Sequence, residues 1–121
     1  MIDSTVLEAF NSRVQVNLNN IKEMKASQLD QIKGNGSEAE ALLQNKQLAL
    51  FVHITKFDLT DQLTNITGHS ADDNNRRIAI SNQLAGLTSF IDTLKRAVYY
   101  KNRVVTMQTT AAPTHNIKEV L

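Results

Sequence analysis

The stretch Ile78–Met107, IAISNQLAGLTSFIDTLKRAVYYKNRVVTM, places apolar residues at Ile80, Leu84, Leu87, Ile91, Leu94, Val98 and Val105. The steps alternate between four and three, which is the heptad rhythm of a helix with one buried seam. Leu84, Ile91, Val98 and Val105 take position a, Ile80, Leu87 and Leu94 take position d, and Lys101 is the polar member of the run. One helix cannot bury such a stripe by itself, so another segment of this chain, or of a second chain, has to cover it.

Working outward, Ser70 with Asp73 three residues on is a capping-box signal, and Asp72 and Asp73 suit the positive end of a helix dipole. The seam helix is therefore expected over residues 71–108, stopping before Thr109-Thr110-Ala111-Ala112-Pro113, where proline discourages continuation. At the other end of the chain, Leu7, Phe10, Val14, Leu18, Ile21, Leu29 and Ile32 recur at a period near 3.67 residues per turn. This predicts a first helix over 4–33, with Asp3 or Ser4 as cap and Gly34-Asn35-Gly36 as terminator. Ser37 and Glu40 form a second capping-box signal, which predicts a middle helix over 38–66. Around Leu48, Leu50, Phe51, Ile54 and Phe57 the apolar residues spread over most of that helix's circumference, so its centre is expected to be its most buried part. A strand over Leu48–Leu59 is the competing reading of this β-branched, partly alternating run, although no hairpin signal lies beside it.

Helices of similar length joined by short connections must alternate in direction, because a linker of about four residues cannot return along a helix of roughly 45 Å. The expected fold class is all-α: an antiparallel three-helix bundle, or helical hairpins, with coiled-coil-like packing. A two-helix core with the first helix exchanged into a partner chain fits the same pattern. Residues 1–108 form one expected domain, and 109–121 an expected flexible tail, in which Ile117, Val120 and Leu121 could make one apolar turn that docks.

A chain of 121 residues can bury a core without staples, and the absence of cysteine excludes disulfides, thiolate metal sites and cysteine nucleophiles. Residues 1–66 carry 6 basic and 8 acidic side chains (−2) and residues 67–121 carry 7 and 4 (+3), too little asymmetry for the usual footprint of non-specific nucleic-acid binding. Met1–Phe10 holds Asp3 and Glu8 and no basic residue, so no Sec-type leader is expected. Leu48–Ile54 is far shorter than the roughly 20 residues of a membrane span. A soluble, cytoplasmic protein is the expectation, with non-Sec export as the alternative. Tryptophan is absent and aromatic rings are few, which favours a thin helical stack over a thick enzyme core.

Little in the chain speaks for chemistry. His53, His69 and His115 fall in separate segments, with no pair at the i, i+4 spacing of a helical metal site. His53, inside the most apolar run, reads as a packed histidine bonded to a neighbour. Asp58 with Asp61 and Asp72 with Asp73 lack the enclosure that would drive their pKa values apart. There is no phosphate-binding glycine loop and no nucleophile elbow; Gly86, within the seam helix, reads as a tolerated surface glycine rather than a point of close approach. No catalytic residue, cofactor or metal is predicted.

The most suggestive surface is Arg96, Tyr99, Tyr100 and Arg103 on one side of the seam helix, continued by Val104 and Met107. Tyrosine and arginine are the residues that dominate binding hot spots, while a wider buried arc with arginines snorkelling at its edge is the plainer reading. Both lead to an interface, so the expected function is a non-enzymatic helical assembly or adaptor protein acting on a protein partner or on itself as a homo-oligomer. The alternative is nucleic-acid binding through Arg76, Arg77, Lys95, Arg96, Lys101 and Arg103, with Tyr99 and Tyr100 stacking on bases. Lys101 and Arg77 could otherwise be polar layers that set register or mark a fraying seam. In its Asn/Gln/Thr-rich, cysteine-free helical character the chain is similar to small subunits and chaperones of bacterial export machines and to phage structural proteins, a likeness of composition that attaches to no residue.

Overall fold

The structure, a computed structural model, describes residues 3–109 and 120–121. Among these residues all regular structure is helical: α1 (Ser4–Asn11), a 3-10 segment (Leu18–Glu23), α2 (Ala26–Leu43), α3 (Lys46–Thr64) and α4 (Ala71–Gln108). No helix of the described residues is long and apolar enough to cross a membrane.

The 38-residue α4 is the expected seam helix, with the expected bounds. Its start is closed by the Ser70 hydroxyl, which accepts from the Asp73 amide at 3.1 Å, while Asp73 Oδ2 accepts from the Ser70 hydroxyl at 2.8 Å and from its amide at 3.3 Å. These bonds to Ser70, with help from Arg77 and Arg76, hold the Asp73 carboxyl below its ordinary value of 3.8. The seam is the packed face. Ile80, Leu94 and Val98 are buried, and Leu84, Leu87, Ile91 and Val105 are half-buried.

What covers the seam differs from the expected partition. The predicted first helix over 4–33 is broken. Ser12 ends α1 by donating its hydroxyl to the Glu8 carbonyl at 2.8 Å, and residues 13–17 run outside any helix. In that run Val14 and Val16 turn to the core and Gln15 to solvent, the period of extended chain rather than of a helix. Asn17 then accepts from the Asn19 amide at 3.0 Å, a local bond that competes with helical pairing and starts the 3-10 segment instead.

The predicted stop at Gly34-Asn35-Gly36 is also overturned, because α2 passes straight through it. Gly36 is buried, and a Cβ on it would overlap the Lys101 Cβ and lie 2.8 Å from the Ala97 carbonyl oxygen. The glycine is a notch that lets α4 close on α2. Ser37 and Glu40 accordingly cap nothing; Glu40 instead pairs with Lys101 across the helices at 2.7 Å. The break comes at Gln44–Asn45, where Asn45 caps α3 by accepting from the Leu48 amide at 2.9 Å. The predicted middle helix over 38–66 thus starts eight residues later, at Lys46, and Leu48–Leu59 is helix, not strand.

Three apolar clusters trace how the elements meet. Ile21, Leu29 and Ile32 gather with Val104; Ala39 and Leu43 with Leu94 and Val98; Leu59 and Ile66 with Ile80. Partners on α4 fall in number as the chain rises through α2 and then α3. Both helices therefore run antiparallel to α4 and follow one another along its length, with little contact between them. Arg77 closes the turn before α4, donating to the Ile66 carbonyl at 3.1 Å and to the Gly68 carbonyl. Leu43 and Val104 are fully buried, each worth about 1.5–3 kcal/mol of transfer free energy.

Candidate interaction surface

A helix in a two-layer stack can bury only one side. On α3 that side carries Ala49, Val52 and Leu59, buried towards α4, with Leu63 half-buried beside them. At about 100° per residue, Leu50, Phe51, Ile54 and Phe57 lie on the opposite arc. They are 57, 67, 50 and 68 % exposed. The expectation that the centre of this helix is its most buried part is corrected here: these four apolar side chains face outward, because among the described residues no third helix lies over them. Asp58 and Asp61 stand at the far end of this row and Lys46 precedes it, all three exposed.

α1 presents a second bare row. Val6, Leu7 and Phe10 are 59, 50 and 57 % exposed, and the helix buries none of its residues. It packs against no other helix among the described residues. Its cap is Asp3, which accepts from the Thr5 amide at 3.0 Å, and beyond its end Arg13 lies over the Phe10 ring at 3.8 Å and donates to the Phe10 carbonyl.

The tyrosine and arginine face of α4 is divided between core and solvent. Val104 is buried, and Tyr100 and Met107 pack with it against the cluster of Ile21, Leu29 and Ile32. Tyr99 is 52 % exposed, and Arg96 and Arg103 are exposed. The two tyrosine rings are tilted at 55° with centroids 6.0 Å apart. Arg96 and Tyr100 line, with Arg13, Val14, Val16 and Ile32, a recess of about 430 Å³ beside the irregular segment 13–17. The residues proposed for nucleic acid do not share one surface role: Arg76 and Lys95 are exposed, Arg77 is turned to the carbonyls of the hairpin turn, and Lys101 is paired with Glu40.

His53 is half-buried on α3. Its Nε2 lies 3.0 Å from the Val120 carbonyl oxygen, and its ring stacks on Phe57 at 6.2 Å. The Val120 amide donates to the Leu43 carbonyl at 3.0 Å, so the end of the chain supplies a donor where α2 breaks, and Leu121 packs on the Leu43 cluster. Of the predicted apolar turn, Ile117 lies outside the described residues, as does His115. Gly86 has nothing within 4 Å of a Cβ position and is a surface glycine. Among the described residues no His, Asp or Glu side chains converge as a metal site would require.

The α3 row is visible in the sequence as surplus apolar residues, but spacing alone assigns it to burial. The α1 row was hidden inside a periodicity that ran on past its true end. Compared with known proteins, the chain matches no family model, no curated protein and no solved structure.

Proposed function

We propose that this protein is a non-enzymatic helical assembly or adaptor protein that works by offering the outer row of α3 to another polypeptide. The observation that carries this reading is the set Leu50, Phe51, Ile54 and Phe57, contiguous on one face and each at least half exposed. Single exposed apolar residues are ordinary, whereas a contiguous row rimmed by charge is what interfaces look like before they are covered. Tyr99, Arg96 and Arg103 on α4 form a second, more polar contact area, of a composition suited to partner side chains. Coiled-coil-like packing of the α4 seam supplies the stiff support on which both areas sit.

Nucleic-acid binding has less to support it, since Arg77 and Lys101 of its six cations are engaged within the chain. The test is light scattering on the wild type and on the double variant Phe51→Asp, Phe57→Asp. Neither side chain contributes to a core cluster, so helicity should persist while assembly is lost. A variant that assembles like the wild type would remove the α3 row from the account of function.

A further inference from the structure

We propose that the occupant of the outer row of α3 is helix α1 of a second copy of this chain. The inference rests on the reading of α3 as an interaction surface and names its partner. The two rows match in spacing. Leu50, Phe51 and Ile54 stand at i, i+1 and i+4, with Phe57 extending the row, and Val6, Leu7 and Phe10 stand at i, i+1 and i+4.

The ends match in charge. Asp3 precedes the arm and Arg13 follows it, while Lys46 precedes the α3 row and Asp58 and Asp61 close it. Laid in the same direction, the two segments bring opposite charges together at both ends, which favours this pairing over other registers.

The chain delivers the arm without covering it. Val14 and Val16 are packed on the body, which fixes the departure point at Arg13, and α1 beyond it touches no other helix among the described residues. Both rows belong to one chain, so a two-fold exchange buries each twice. The seven side chains, with roughly 100 Å² bare on each, amount to about 700 Å² per contact. Two contacts reach about 1,400 Å², within the range of stable specific interfaces. A single contact does not.

The cysteine-free background makes the test direct. Leu7→Cys and Ile54→Cys are made in separate chains, mixed and mildly oxidised, with Ser89→Cys replacing Ile54→Cys as the control. Expected is a disulfide-linked pair of one chain of each kind, in several-fold excess over the control. The Phe10→Asp variant should be monomeric by light scattering with unchanged helicity, because α1 buries none of its residues and packs on no other helix among the described residues. Three results would overturn the proposal: mixed-chain cross-linking no higher than the control, a Leu7→Cys, Ile54→Cys double variant that closes within one chain, or a Phe10→Asp protein that associates like the wild type. In the last case, loss of assembly on Phe51→Asp, Phe57→Asp would still uphold the α3 row as an interface, so the two readings fail separately.

Discussion

Replacing Gly36 by alanine should destabilise the protein, although alanine is the better helix former. The two glycines of α2 make an internal pair. A Cβ on Gly34 meets nothing within 4 Å, whereas one on Gly36 overlaps Lys101 and comes within 2.8 Å of the Ala97 carbonyl. Gly34→Ala collects the propensity gain of about 1 kcal/mol. Gly36→Ala collects the same gain but must push α4 outward at backbone atoms that cannot rotate away, and overpacking of that kind costs about 1–3 kcal/mol. The shift also strains the 2.7 Å pair of Lys101 with Glu40, whose side chains are only 19 % and 26 % exposed. The expected outcome is a net loss of up to about 2 kcal/mol for Gly36→Ala against a gain of about 1 kcal/mol for Gly34→Ala, so that the two variants differ by about 1–3 kcal/mol. Urea unfolding followed by circular dichroism, at one protein concentration because association would shift apparent stability, measures both. Equal stability of the two variants, with unchanged m-values, would refute the close approach of α2 and α4 at this point.

Arg77→Ala should cost about 1.5–3 kcal/mol by removing charged hydrogen bonds to the Ile66 and Gly68 carbonyls, and Arg77→Lys should not restore it; thermal unfolding reads both. Leu43→Ala, at a fully buried position, should cost about 2–5 kcal/mol in the same assay. Because the folded pKa of Asp73 lies below 3.8, its contribution to stability is complete above that value and fades as pH falls through the folded pKa. The slope of stability against pH in that acid window should therefore flatten in Asp73→Asn, measured by urea midpoints at successive pH values. Glu40→Gln should destabilise more than the double change Glu40→Leu, Lys101→Met, since the single change leaves the half-buried Lys101 ammonium without its partner.

The parts of the fold that were legible were those where local and long-range forces agree. The α4 seam, its Ser70–Asp73 cap and its end before Pro113 could be read because heptad spacing, capping chemistry and burial all give the same bounds. The N-terminal half was misread where they conflict. Leu7, Phe10, Val14 and Leu18 keep helical spacing, yet Ser12 and Asn17 offer the backbone local bonds that end one helix and prevent the next. Gly34 and Gly36 look like a stop, and only the partner helix reveals that one of them is packing space. Ser37 and Glu40 look like a helix start, yet Asn45 is the residue that caps α3. Of the predicted interface, Val104, Tyr100 and Met107 went to the core and Arg96, Tyr99 and Arg103 to the surface, a division that depends on where residues 13–24 lie and so on the break no spacing showed.

The most direct measurement is sedimentation equilibrium of the full wild-type chain across a broad concentration range. A single chain has a mass of 13.5 kDa, and a species of twice that mass, dissociating on dilution, is the expected result. A mass of 13.5 kDa at every concentration would contradict the assignment of the α3 and α1 rows as surfaces that cover one another.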